Sequence, residues 1–565
     1  MTIAEGQAID ALHLLQEEFG AGCSCLSAEE LSECPVLNAS AGWEVPLAGL
    51  AIEHPTATSL QVIVDEQFPN SQPRVVARGC NQDQFWPHVE SQGLLCLSTT
   101  RINANPGERI KQHVEWAIEV LSYDGNERRR EFESEFSVYW SRNRTRNGPE
   151  VWSLVSLARP SQTVYWAKKP NAQHYIVADS ISQGALWLSN SVFGWSNAEF
   201  HRSKLIWLGR PWSPDEFPTE GKEILEFLSI ADRREILVGG LPILFLFAAE
   251  TSGGATVVAA TAKSRPVEKL RKGLPRGEEV PFERLVRSFG VSPVSRGEVT
   301  RVDPPWVHGR GIDPNVARLH NAKVAIVGCG SLGGYIARSL VQAGVGGIVL
   351  VDPDSMQTHN AARHVLGFSA FAKNKASALA DVLRTDFPHL QMAHAIERAV
   401  AKLAEGDWNE LETCDVVLSA GIDTEGLVQL DERLSSLETR PPHICCWVET
   451  YAIAGHAVCL TNHDQIKSAF DSQERIKFRV TDWPDNNTGM FVEAGCSNTF
   501  QPHGAVDLLP SVSNTVRLTL DVLLGLVKGS CRRVWHQGLE RIEELGGTVR
   551  ADTGASGEVQ EYEWL

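Results

Sequence analysis

The chain has 565 residues, 43% hydrophobic and 22% charged, with a formal net charge of −18. That length exceeds what a single hydrophobic core fills, so several domains are expected, and the composition excludes global disorder. The acidic balance disfavours non-specific binding to nucleic acid or acidic membranes, where Lys and Arg carry the affinity.

The opening stretch MTIAEGQAIDALHLLQEEFG lacks the basic start and apolar core of a signal peptide, and no apolar run approaches membrane-spanning length. A cytoplasmic protein is expected. Twelve cysteines occur without paired C-x-x-C motifs, which argues against a structural zinc. In a reducing compartment each is either a small buried hydrophobe or a nucleophile.

Residues 1–148 read as an α+β module. Its first helix places Ile9, Leu12, Leu15 and Phe19 at helical spacing. The segment SLQVIVDEQF predicts antiparallel strands, and IKQHVEWAIEVLS predicts a later helix with an apolar stripe at Val114, Ile118 and Leu121. The module ends near the basic stretch RNRTRNGPE. Residues 149–300 carry strand-like runs, REILVGGLPILFLF and TVVAATA, and no motif with a nameable chemistry. An α+β spacer that positions its neighbours is expected there. Residues 301–565 contain KVAIVGCGSLGGYIARSLVQAGVGGIVLVDPD, which predicts a buried strand, a glycine turn, a helix and a second buried strand. That is a βαβ unit of a doubly wound α/β sheet.

Gly328, Gly330 and Gly333 form G-x-G-x-x-G directly after the strand VAIVG. Glycine permits the tight turn and a close backbone approach, and the following helix offers free N–H groups to a phosphate. The pattern also suits a nicotinamide-dependent dehydrogenase, because Asp352 ends the next strand where an acid commonly holds a ribose. The stretch DPDSMQTHNAARHVLGFSAFAKNKA then supplies Asp354, Asn360, Arg363, Lys373 and Lys375. Cations beside the phosphates stabilise the charge that builds during attack on an α-phosphate, and hydride transfer does not need them. They favour adenylyl transfer. Taken singly, Arg363 and Lys375 also suit a solvated surface, and Asp423 in GIDTEG also suits a helix cap.

The order of these motifs over about residues 305–520 resembles the ThiF-like ubiquitin-activating superfamily, which includes bacterial sulfur-carrier adenylyltransferases. The resemblance implies that Asp352, with Asp354 beside it, holds the ribose. It further implies that Asn360, Arg363 and Lys375 contact ATP phosphates and that Asp423 helps hold magnesium. Ala362 and His364 depart from the family's usual Asn and Gln. An upstream arginine of the family often reaches the partner's ATP across a dimer interface, which implies a homodimer formed by the adenylation domain. Arg310 and Arg318 are the candidates, with Arg310 preferred.

An adenylate is a reactive anhydride that a thiolate intercepts well. Cys496, in the polar, glycine-containing FVEAGCSNTFQPHGAVDL, resembles the activating-enzyme cysteine that takes the acyl group from AMP, whereas Cys445 and Cys446 in HICCWVE read as packing cysteines. A second candidate is Cys96 in FWPHVESQGLLCLS. Spacing from Trp86, Pro87 and His88 to Gly93, Cys96 and Leu97, together with the upstream DEQFPNSQPRVV, resembles ubiquitin-conjugating enzymes over about residues 5–145. His88 stands where the family carries an oxyanion-stabilising Asn. A histidine there can donate to an oxyanion, act as a base, or support the loop.

A conjugating half followed by an activating half resembles the fused proteins of bacterial antiphage operons of the cyclic-oligonucleotide type (CBASS). The resemblance implies that ATP and Mg serve to adenylate a protein's C-terminal carboxylate, that of the operon's cyclic-nucleotide synthase. The acyl group would pass to Cys496, to Cys96 and then to an amine, and a JAB-type protease would be encoded nearby. A sulfur-carrier adenylyltransferase, a dehydrogenase and a non-catalytic partner-binding scaffold are the alternatives.

Overall fold

The computed structural model describes residues 5–80, 85–97, 105–157, 161–191, 195, 197–237, 241–275, 278–484, 491–492, 499–550 and 554–565. The chain divides into two compact units, Met1–Pro149 with Leu205–Glu298, and Glu150–Lys204 with Val299–Leu565.

In the first unit, helix α1 (Glu5–Phe19) precedes an antiparallel sheet of β1 (Ser24–Cys25), β2 (Ala39–Pro46), β3 (Ser59–Asp65) and β4 (Arg74–Arg78) in sequential order. Helix α2 (Pro106–Leu121) starts where the Asn105 side chain accepts from the N–H groups of Gly107 and Glu108, with Pro106 fixing the first turn. It buries Ile110, Val114, Ala117, Val120 and Leu121. The stripe expected at Val114 and Leu121 is therefore buried, while Ile118 is only partly covered. In α1 Ala11 and Leu15 are buried, while Ile9 is 53% exposed. Every residue of β3 from Ser59 to Val64 is buried. One face meets the two helices, and the other lies under Leu26 and Leu31. Each such fully buried aliphatic side chain contributes roughly 1.5–3 kcal/mol.

Helices α3 (Gly125–Ser134) and α4 (Phe136–Arg142) follow, the first started by an Asp124–Glu127 capping box. Phe136 and Trp140 enter a core built with Phe217, Phe245, Phe247 and Phe289, and the Trp140 indole N–H donates to the carbonyls of Ala259 and Gly297, both at 3.1 Å. That core rests on the hairpin β5 (Pro242–Thr251) and β6 (Gly254–Lys263). The run REILVGGLPILFLF is thus only partly strand. Its first three residues finish a helix, Ile230–Ile236, which Ser229 and Asp232 initiate as a capping box.

In the second unit, residues 150–204 contribute strands Glu150–Ser153, Gln162–Lys168 and His174–Ala178 with helix Ile181–Asn190, packed around Ile176, Trp187 and Trp195. The remainder is built on an eight-stranded sheet. In chain order its elements are β7 (Lys323–Val327), α5 (Ser331–Gln342), β8 (Gly347–Val351), α6 (Lys375–Asp386), β9 (Met392–Ile396), β10 (Val416–Ala420), α7 (Thr424–Ser435), β11 (His443–Val448), β12 (Ala454–Leu460), α8 (Ala505–Leu523), β13 (Cys531–His536) and β14 (Gln560–Glu563). Across the sheet the strands run β9-β8-β7-β10-β11-β12-β13-β14, parallel as far as β11 and antiparallel beyond.

One core packs α5, α6 and α8 on one face, and a second gathers Leu430 and Leu434 of α7 with Trp408 and Leu411 on the other. The sheet is doubly wound, as the glycine-turn segment predicts. Its winding reverses between β7 and β10, and the crevice beyond the carboxyl ends of these two strands is where such sheets bind ligands. A buried polar knot ties α7 to β11. Asp431 pairs with Arg440 at 2.6 Å and with His443 Nδ1 at 2.8 Å, and it accepts the Ile466 N–H at 2.8 Å.

Candidate active site

The glycine turn leaves β7 at the switch point. Gly328 has φ +93°, in the region that disfavours side chains, and a Cβ on Gly333 would sit 1.9 Å from the Gly328 carbonyl oxygen. A Cβ on Gly330 would meet nothing within 4 Å, so the backbone there faces open space. Asp352, just beyond β8, is 5% exposed and spans the turn: one oxygen accepts the Cys329 N–H at 2.7 Å and the other the Asp354 N–H at 2.8 Å. Burial pushes its carboxyl up, against the two N–H bonds and the Lys375 charge that draw it down. Each oxygen keeps a further lone pair for a ligand.

Lys375, the first residue of α6, bonds Asp354 at 2.9 Å, while Asn374 caps the helix and donates to the carbonyls of Asp352 and Asp354. Asn360 caps its own short turn, its side-chain oxygen accepting the Gln357 N–H at 3.0 Å. Arg363 is half-buried and its charge reaches His503. His364, a departure from the family pattern, is buried and donates from Nε2 to the Cys329 carbonyl at 2.7 Å, while its Nδ1 accepts the Leu366 N–H. It clamps the glycine turn, a role visible only once the loop is folded back.

A cavity of about 650 Å³ lies over this crevice, of the size small-ligand sites have. Gly330, Ala420, Trp447, Gln501 and His503 are among the residues that line it. Asp423 is exposed at its rim between the lining residues Ile422 and Thr424. One of its oxygens caps α7 by accepting the Gly426 N–H at 2.7 Å; the other, among the described residues, has no partner. The helix-cap role is real, and it leaves one carboxylate oxygen for a cation. Cys496 lies outside the described residues, with Gln501 and His503 of the cavity wall a few positions further along the chain. Cys445 and Cys446 are buried in β11, where burial pushes the Cys446 thiol up to about 12. Upstream, Arg318 donates to the Leu524 carbonyl at 2.9 Å, whereas Arg310 is exposed and lies over the Trp306 ring at 5.5 Å.

The first unit holds Cys96, exposed, on a segment laced to β4 by the Leu95 N–H to the Val75 carbonyl at 2.8 Å. The Cys96 N–H donates to the His88 carbonyl, also at 2.8 Å, so the two predicted residues come together through the backbone. Trp86 is buried and its indole N–H donates to the Val120 carbonyl at 2.8 Å. The His88 ring turns towards Glu131 and Glu135, neither of which the sequence singled out.

Two sites, a glycine-turn nucleotide crevice and an exposed cysteine on a helix-backed antiparallel sheet, are what an activating and a conjugating domain each need. Residues 310–474 match the model of the ThiF family, and residues 29–147 match Prokaryotic E2 family B; the chain carries a domain of each kind. Among curated relatives, the ATP-dependent ubiquitin transferase-like protein Cap2 of Pseudomonas aeruginosa (strain BWHPSA011 / Pa011) is 29% identical over 261 residues, 44% of this chain and 45% of that protein. The protein of the same name from Vibrio cholerae serotype O1 (strain ATCC 39315 / El Tor Inaba N16961) is 33% identical over 144 residues, 25% and 23% of the two chains. That from Escherichia coli (strain TW11681) is 23% identical over 355 residues, 55% and 58%. The chain spans less than two thirds of the length of each of these relatives. No helix among the described residues is long and apolar enough to cross a membrane.

Proposed function

We propose that the protein is an ATP-dependent conjugating enzyme that adenylates a protein's C-terminal carboxylate, captures it on Cys496, moves it to Cys96 and delivers it to an amine. The observation that carries this reading is the presence, on one chain, of a ThiF domain with an open glycine turn and an E2-type domain with an exposed cysteine. The relatives' name, ATP-dependent ubiquitin transferase-like protein, supports the same class.

In this reading the free N–H groups at the start of α5 receive the nucleotide phosphates. Arg363 and Lys375 offset the charge that builds as the carboxylate attacks the α-phosphate and pyrophosphate leaves. Asp352 closes the turn and offers its remaining lone pairs to the ribose, with Asp354 holding Lys375. Asn360 shapes the loop that carries Arg363. The uncommitted Asp423 oxygen fits a magnesium ion, which when bound supplies further neutralisation of phosphate charge. The Cys496 thiolate then attacks the acyl-adenylate carbonyl and AMP departs, and exchange between thiols moves the acyl group to Cys96. Carrying both cysteines on one chain raises the effective concentration of the second step.

We assign residues 1–148 to conjugation, 149–300 to spacing and 301–565 to activation, in a cytoplasmic homodimer. Arg310 reaches across to the partner's nucleotide, since Arg318 is engaged within its own chain. The carboxylate donor in our reading is a cyclic-nucleotide synthase made in antiphage defence. The test is ATP–pyrophosphate exchange dependent on that synthase. Exchange that survives Cys496→Ala, with loss of the thioester, supports the order of steps. Exchange lost together with the thioester contradicts it, as does exchange undiminished by Asp423→Ala for the magnesium assignment.

A further inference from the structure

His88 is pinned through both of its backbone polar groups. Its N–H donates to the Tyr139 hydroxyl oxygen at 2.8 Å and its carbonyl accepts the Cys96 N–H at 2.8 Å. Its φ of +59° is one that a histidine keeps only where neighbours hold it. The ring that this backbone aims, 18% exposed, falls between two carboxylates, with Nε2 3.3 Å from Glu131 Oε2 and Nδ1 3.9 Å from Glu135 Oε2. The Tyr139 hydroxyl bonds Glu135 in turn, and burial keeps that phenol protonated. Of the nearby cations, Arg142 pairs with Glu90 at 2.8 Å and lies over the Tyr139 ring at 5.5 Å, and Arg128 lies over the Trp86 ring at 4.4 Å.

A carboxylate only accepts, so in the neutral ring Glu131 selects the tautomer with the proton on Nε2 and the lone pair on Nδ1. At 3.9 Å, Nδ1 and the Glu135 oxygen are too far apart to share a hydrogen bond. An ammonium group seated between them donates to both at about 2.8–3.0 Å.

We propose that Glu135 seats the incoming acceptor ammonium and His88 deprotonates it, with Glu131 as the positioning residue that sets the imidazole tautomer. The inference rests on the reading of Cys96 as the thioester-bearing residue. The ammonium gives one proton to His88 Nδ1, and the freed amine attacks the thioester carbonyl. The C–N bond forms, the C–S bond breaks, and the second amine proton leaves with the Cys96 sulfur as thiol.

The test loads Cys96 of the full-length chain from a short peptide thioester of mercaptoethanesulfonate, located by peptide mapping, and follows discharge to n-butylamine and to hydroxylamine. Butylamine arrives as a cation and hydroxylamine arrives uncharged. In Glu131→Gln and Glu135→Gln, loading is unchanged and discharge to butylamine at pH 7 falls about tenfold to a hundredfold, while discharge to hydroxylamine changes by less than about threefold. The deficit narrows as pH rises towards the amine's own value, about 10.4. Equal losses on both nucleophiles, a deficit independent of pH, or no loss would overturn the proposal alone. An unaltered chain whose Cys96 takes no acyl group would overturn the conjugating assignment and this inference with it.

Discussion

At the scale of single residues, two glycines of one turn have opposite sensitivities. Gly333→Ala drives a Cβ into the Gly328 carbonyl oxygen, and the backbone shift it forces destabilises the second unit by about 1–3 kcal/mol. Gly330→Ala meets open space at φ −73°, so the fold keeps its urea midpoint while ATP affinity, read by equilibrium binding, falls because the methyl group occupies the phosphate approach. Equal ATP affinity in Gly330→Ala would mean that phosphates do not approach there. Spacing along the chain was enough to predict that the glycines, Asp352 and Lys375 gather at one turn, where the structure places them. His364, Tyr139, Glu131 and Glu135 were not legible in this way, because their partners lie 35 to 51 positions away or, for Glu135, act through a ring whose direction depends on a left-handed His88.

At the scale of elements, the knot joining α7 and β11 sets a pH limit on the ThiF domain. Burial pushes the Asp431 carboxyl up, but the His443 N–H, the Ile466 N–H and the Arg440 charge outweigh it and hold the group below its ordinary range. Its stabilisation is present above the unfolded carboxylate value, about 3.9, and is lost as pH falls through the folded value. Burial also pushes His443 down, so below about 6.5 the unfolded chain takes a proton that the fold refuses. Urea midpoints should decline as pH falls from 7.5 to 4.5, and His443→Gln should lose its part of that slope. Asp431→Asn, which strands Arg440, should cost about 3–5 kcal/mol at pH 7. The alternation in SLQVIVDEQF identified a strand but not that both its faces are covered, since Leu26 and Leu31 reach it from another segment. In REILVGGLPILFLF the apolar run hid a helix end that the preceding Ser229 and Asp232 announce.

At the scale of the whole molecule, the doubly wound sheet and the helix-backed antiparallel sheet were legible because each is dense in local signals. The packing of α4 was not: Phe136 and Trp140 find their core among residues 206 to 294, a pairing no local pattern encodes. A fragment ending at residue 148 therefore exposes both aromatics and should unfold at lower urea than the same residues in the full chain; an unchanged midpoint would show that the hairpin lends them nothing. Cys96 and the nucleotide crevice belong to separate compact units, so the account stands on whether a single acyl group visits both cysteines. Intact mass spectrometry under denaturing, thiol-free conditions, after incubation with ATP, magnesium and the donor protein, measures this directly. The prediction is an ATP-dependent, thiol-labile adduct of donor minus water, mapped to Cys96 in the unaltered chain and to Cys496 in Cys96→Ala. An adduct that forms without ATP, or a full yield of amide product from Cys96→Ala, would contradict it.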